Sequence, residues 1–538
     1  MIKIQEEGNK TMKKLIFMLV AVLMVLAGCS NSDKSTTTTT SEEKSETNVV
    51  RLGWGNAGLP SPFTFSNSGP GGFLRNTFLF DTLIWKDDTG VIPWLASSWE
   101  VSTDNLEYTF KLEEGVTFHD GEPLTADDVV FSYNYFKNHT FQWNADMTKV
   151  AYAEKISDTE VKITLTEVYV PFVTEIAGIL PIIPEHIWSK VDQPLEYQEA
   201  DALVGSGPYT LDSYDSATGN YKFLKNENYF KGDVKVPEIQ YIASESNILA
   251  LQNKVIDGAM TTKYTEVQQL EQLGYDVLKS EPTGSAVRVV FNMGDEQLAD
   301  KNLRQAIAYA LDRASIAEKL TGTSDILVGN AGVIPLDSPW YNENVKQYDY
   351  NVEKANEMLD VLGYKKNADG TRDGLNLSLT VSGTSKEGEL MQSMLKEVGI
   401  DLALNTVDSA TFATVMSEGN FDMTITGHIG LSGDPDFLRT WFSGNASNAW
   451  AGKAVFENEE FTNLANLQLT QANEEERGAT IDAMQDILAE ELPTLVLYHR
   501  PFYYVYDASV YDNYFNTYGG IADGIPLTDN KAAYVDYK

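Results

Sequence analysis

The sequence predicts an exported α/β protein of more than one domain, and three observations carry that expectation. About 500 residues follow the only cysteine, Cys29, too many for one hydrophobic core. Short strand signals alternate with capped helical stretches, and no internal repeat recurs, which is the pattern of mixed α/β architecture. The N-terminus carries lysines, an apolar run and small residues in the order of a secretory signal. A hydrophobic content of 43% and an aromatic content of 11% are globular values.

Lys13 and Lys14 precede the apolar run Leu15 to Leu26. That run is about a dozen residues, too short to cross a ~30 Å hydrocarbon core comfortably. Its ending, Leu26-Ala27-Gly28-Cys29, resembles the lipobox of bacterial lipoproteins. The resemblance implies cleavage before Cys29, a lipid on the Cys29 thiol, and a protein held at the outer face of the cell membrane. Glu6 and Glu7 do not suit a leader, whereas Met12-Lys13-Lys14 does, so Met12 is the expected start. With no other cysteine there is no disulfide framework. No second apolar run approaches the ~18 residues of a membrane span, so the lipid is the only expected attachment.

Net charge is −38, and the leader holds four lysines and two glutamates. Its removal takes the charge to about −40. So acidic a surface repels nucleic acid and anionic headgroups. Residues Ser30 to Thr47 are rich in Ser, Thr, Glu and Lys, with Thr36 to Thr40 uninterrupted. They read as a tether without apolar periodicity, spanning roughly 24 Å as a flexible coil.

The ordered body is expected from Val49, where a short strand ends in a Gly/Asn/Pro-rich loop at Trp54. Further strands are expected at Tyr108 to Leu112, Val161 to Leu165, Tyr221 to Leu224, Ile239 to Ile242, Arg288 to Asn292, Leu375 to Val381, Asp422 to Thr426 and Thr494 to Tyr498. Thr125-Ala126-Asp127-Asp128 is a capping box that opens a helix through about Phe136. One amphipathic helix is expected over Leu303 to Leu320. Others follow Asn351, Ser385 and Asn473 and stop at Gly363, Gly399 and Pro493.

The five histidines are scattered, and none forms an H-x-x-x-H pair, so no zinc site is signalled. There is no nucleophile elbow and no phosphate loop. Carboxylate pairs are abundant but uninformative in so acidic a chain. No catalytic constellation is present, and neither enzyme activity nor a cofactor is expected.

Between Leu79 and Tyr135 the sequence becomes specific. Leu79-Phe80-Asp81-Thr82-Leu83, Ile92-Pro93-Trp94-Leu95-Ala96, and Phe118-His119-Asp120-Gly121-Glu122-Pro123-Leu124-Thr125-Ala126-Asp127-Asp128-Val129 follow in order. Gly205-Ser206-Gly207-Pro208-Tyr209, Ile256-Asp257-Gly258-Ala259 and Leu303-Arg304-Gln305-Ala306-Ile307-Ala308-Tyr309-Ala310-Leu311-Asp312 continue the pattern. Together they resemble the extracellular solute-binding proteins of family 5, the peptide- and nickel-binding components of ABC importers. The resemblance implies a two-lobed periplasmic-binding-protein clamp of type II-like form. Lobe one would be 48–282, with an inserted subdomain at about 73–200 and a C-terminal return at 500–538; lobe two would be 283–499. Taken alone, Phe118 to Gly121 reads as a strand end and turn, with His119 a turn histidine rather than a ligand.

In the peptide-binding members an aspartate three positions before an acidic-Pro pair holds the ligand's amino group. Here the loop reads Gly427-His428-Ile429-Gly430-Leu431-Ser432-Gly433-Asp434-Pro435-Asp436. Asp434-Pro435 matches the pair, so the anchoring position is Leu431, which cannot pair with an ammonium. His428 takes the place of the usual aromatic, as a ligand contact or as a loop cap. Asp434 and Pro435 are expected to start a helix through Trp441. Trp54, Trp441 and Trp450 are candidate stacking walls, and core packing is the alternative for each. Thr384, in Ser382-Gly383-Thr384-Ser385, is a candidate for backbone capture of an anionic or carbonyl group, with a simple cap by Ser385 as the alternative.

The reading is a monomeric lipoprotein that captures a small solute, a peptide by default, and passes it to ABC permease and ATPase subunits. Leu431 keeps a nickel or other metal chelate and an oligosaccharide open. An anchored hydrolase or an adhesin is the reading from a different class.

Overall fold

The computed structural model describes residues 48–65, 70–139, 145–281, 283–323, 326–431, 433–443, 456–517 and 527–537. Cys29, the leader, the tether and Trp450 lie outside them. Two large sheets organise the body. In the first, strand Val49–Gly53 is central and runs parallel to Glu238–Ile242 and Gly258–Thr261. Antiparallel neighbours complete seven strands, including Tyr503–Tyr506 from late in the chain. Val50 and Leu52 point into the core. On the other face Arg51 grips Asp257 with two side-chain bonds of 2.9 and 2.7 Å.

The second sheet has six strands, and Ser285–Phe291 is buried along its whole length. A strand buried on both faces reads as a mainly apolar run, which Arg288 interrupts here. One face carries Val287, Val289 and Phe291 against Leu377, Leu379 and Leu495. The other carries Ala286 and Val496 against Leu431, Phe437, Leu438 and Trp441. A separate four-stranded sheet (Ala96–Val101, Glu107–Leu112, Glu160–Leu165, Val150–Ser157) belongs to the first lobe. Helix Ala126–Asn138 packs on it. The capping box at the start of that helix forms as expected, with Thr125 and Asp128 bonding reciprocally.

The chain crosses between the two large sheets twice, at 280–284 and 500–502. The crossings are cross-linked: Ser280 N–H donates to Phe502 C=O at 2.9 Å, and Arg500 N–H to Ser285 C=O at 3.2 Å. The lobes also meet away from these crossings. Val170 N–H donates to Leu469 C=O at 2.8 Å, and Leu469 is buried in the first lobe's core. These contacts join the lobes both at the crossings and away from them.

Each expected strand forms, with ends within three residues. Two helices differ from expectation. The single helix expected over Leu303 to Leu320 is two, Lys301–Tyr309 and Arg313–Thr321. Asp312 breaks it by accepting Ser315 N–H at 3.0 Å, a local bond that competes with helix continuation. The helix expected to begin at Asp434-Pro435 is Phe437–Phe442. Asp434 caps only the turn before it, accepting Asp436 N–H at 2.9 Å.

Candidate functional site

A cavity of about 350 Å³ lies between the lobes. The first lobe contributes Asp146, Tyr169, Glu175 and Ile179. The second contributes His428 and Gly430 at the end of strand Met423–Ile429, then Asp434, Asp436, Arg439 and Trp441 around helix Phe437–Phe442. The lining thus sets four carboxylates against one guanidinium.

Alternation along the strand places Thr424, Thr426 and His428 on one face. The His428 ring centroid stands 3.7 Å from that of Trp441. Its Nδ1–H donates to Ile429 C=O. A carbonyl only accepts, so this bond assigns the tautomer and leaves Nε2 as an acceptor. Burial, with the Arg288 cation beside it, pushes the His428 pKa down to about 4. The imidazole is therefore neutral at physiological pH. The folded state binds fewer protons here than the unfolded state between about pH 4 and the unfolded value near 6.5. Its contribution to stability is full above about 6.5 and falls as pH drops toward 4. His428→Gln should flatten the dependence of melting temperature on pH in that window, leaving the slope from His119, whose pKa burial lowers, and from His499, whose pKa burial lowers to about 3. An unchanged slope would refute a buried neutral His428.

Beneath the cavity the acidic residues are tied into a network. Asp434 accepts from Arg477 at 2.8 and 2.6 Å, and Asp436 accepts from Arg439 at 2.7 and 2.6 Å. Gln468 joins the two pairs: its Nε2–H donates to Asp436 at 2.7 Å, and its Oε1 accepts from Arg477. Gln468 immediately precedes Leu469, so the cavity floor connects through one residue to the contact that closes the lobes.

Of the expected site residues, the cavity brings together His428 and Trp441. Leu431 is 1% exposed within the second lobe's core and offers the cavity no side chain. Trp54 is half-buried 5.1 Å from the Arg75 guanidinium in the first lobe, away from the cavity wall. Thr384 is exposed in the turn before helix Lys386–Glu397, which Ser385 caps by accepting Gly388 N–H at 3.0 Å. His119 is satisfied on both ring nitrogens, by Gly205 N–H and Gly207 C=O, in a turn where Gly121 takes φ 93°. The sequence reading did not find Asp146, Tyr169, Glu175, Arg439 or Arg477. Asp146, Tyr169 and Glu175 reach the cavity from the other lobe through tertiary contact, Arg477 lies beneath it bound to Asp434, and Arg439 shares the helix of Trp441 without a signal of its own.

Residues 90–450 match the model for bacterial extracellular solute-binding proteins, family 5 Middle. The chain belongs to this family. Family-5 proteins are the solute-binding components of ABC importers, and the role is binding rather than catalysis. The chain is 27% identical over 458 residues to heme-binding protein A of Haemophilus influenzae, covering 77% of this chain and 80% of that one. It is 27% identical over 440 residues to the oligopeptide-binding protein AppA of Bacillus subtilis, covering 76% and 79%. In fold it matches the crystal structure of NikA from Brucella suis in complex with Fe(III)-EDTA. The TM-score is 0.77 at 23% identity, over 89% of this chain and 98% of that one. Among the described residues of this family-5 protein, no helix is long and apolar enough to cross a membrane.

Proposed function

We propose that this chain is a lipid-anchored receptor that captures a peptide-class solute of di- to tripeptide size and delivers it to an ABC permease. The observation that carries this reading is the acidic, aromatic-walled cavity between the lobes. Its volume lies at the lower end of small-molecule sites, which suits a short solute. A cationic amino end fits the Asp146 and Glu175 side of the lining, because Asp434 and Asp436 are already paired with Arg477 and Arg439, and this side takes the place of the anchor that Leu431 cannot supply. The oligopeptide-binding relative supports the same class. We take lobe one as 48–282 with 500–538, its subdomain as about 73–200, and lobe two as 283–499, working as a monomer.

One observation favours a second reading. An imidazole whose Nδ1–H is held by a backbone carbonyl presents Nε2 in the manner of a metal ligand. Among the described residues no group of three or more His, Cys, Asp or Glu is placed to hold a metal ion. A metal would therefore arrive inside its own chelator. Thermal melts separate the two readings. A pool of di- and tripeptides near 100 times Kd should add about 2.7 kcal/mol. A shift with nickel–histidine and none with peptides would reverse the preference.

The anchor is tested by Cys29→Ala. That variant is expected in the soluble extracellular fraction with its solute affinity unchanged. Retention in the membrane fraction would rule out lipid attachment at Cys29.

A further inference from the structure

Arg288 occupies the centre of the second lobe's sheet and is 2% exposed. It pairs across the strands with Thr426, two residue pairs in from the Ala286–His428 pair at the cavity wall and on the same sheet face. Its guanidinium lies 4.3 Å from the Trp441 ring centroid. Nε and Nη1 are buried and hydrogen-bond to nothing. The buried hydroxyls of Thr424 and Thr426, on the same sheet face, are also without partners. Other buried arginines of this lobe are not left so. Arg304 donates to the carbonyls of Leu298 and Glu491, Arg313 to that of Tyr348, Arg372 to Asp360 and Arg477 to Asp434.

A buried cation without an anion is costly, and one aromatic face does not replace the hydrogen bonds a guanidinium can make. The deficit is therefore one anion, directly behind two residues of the cavity wall. We propose that Arg288 anchors a carboxylate of the bound solute, with the Thr426 hydroxyl as a second donor. The Trp441 ring shifts off the guanidinium as the carboxylate arrives. A planar guanidinium suits a carboxylate because two parallel N–H bonds can form. The proposal rests on the peptide-sized reading of the cleft and completes it: the solute is zwitterionic, its amino end toward the acidic wall and its carboxylate toward Arg288.

The test compares dialanine with dialanine amide by calorimetry on the full chain, wild type and Arg288→Met. The wild type should prefer the free acid by roughly tenfold or more, and Arg288→Met should bind both at the level of the amide. Arg288→Met should also melt no lower than wild type without solute, because an unpaired buried charge has become an apolar chain of similar length. Equal affinity of the wild type for acid and amide overturns the proposal, and so does discrimination that survives in Arg288→Met. If neither dipeptide binds, acetate against chloride at equal ionic strength decides. An Arg288-dependent rise in melting temperature keeps the anion site and rejects the peptide reading. No rise rejects both.

Discussion

Asp81→Asn is expected to destabilise the protein by about 3–5 kcal/mol, the usual consequence of removing one partner from a buried ion pair. Asp81 and Lys531 are both 0% exposed and 2.6 Å apart. The carboxylate also accepts from Trp94 Nε1 at 2.8 Å, the Tyr229 hydroxyl at 2.9 Å and the Ser206 hydroxyl at 3.1 Å. The Lys531 ammonium lies 4.5 Å from the Trp85 ring centroid and 5.3 Å from that of Trp94. This one cluster fastens the end of the chain to the first lobe. Asparagine keeps the shape and most acceptor capacity but leaves Lys531 charged without an anion. Burial already lowers the Lys531 pKa, and losing Asp81 removes what opposes that. The double variant Asp81→Asn/Lys531→Met should recover much of the loss, since two apolar or neutral groups replace a charge pair without stranding either partner. Equilibrium denaturation of the four proteins in the cycle measures the coupling. Additive losses would mean that the pair is not the source of the stability.

The second large effect concerns closure. Leu469→Ala should weaken binding of the best solute by roughly thirtyfold while leaving each lobe folded. Leu469 is 5% exposed and packs, from the second lobe, into the first lobe's core. Truncating it removes about 2 kcal/mol of burial, and each ~1.4 kcal/mol is tenfold in affinity. The loss falls on the closed state alone, so the populations shift toward the open form. Solution scattering without solute should show a larger radius of gyration for the variant. Unchanged affinity with unchanged dimensions would show that Leu469 does not govern closure.

Much of the fold was legible in the sequence because its signals are local. Thr125 with Asp128, Asn351, Ser385 and Asn473 each cap the helix they were expected to open. Asp312 was read as part of a helix because apolar periodicity continues through it, although a capping carboxylate overrides that pattern. The second lobe's half of the cavity was legible in His428 and Trp441, which sit in one strand-loop-helix segment. Asp146, Tyr169 and Glu175 were not, since only closure brings them to the cavity. Arg288 did leave a trace: a charged residue between Val287 and Val289 in a wholly buried strand is a conflict between local and global preference, and such conflicts mark sites.

The central claim is that a short solute is enclosed between the lobes against an acidic wall. Native mass spectrometry of the protein with an equimolar pool of di- to hexapeptides tests it most directly. The expected result is one adduct per chain, with di- and tripeptide masses dominating. Adducts dominated by penta- and hexapeptides, or none at all, would contradict it.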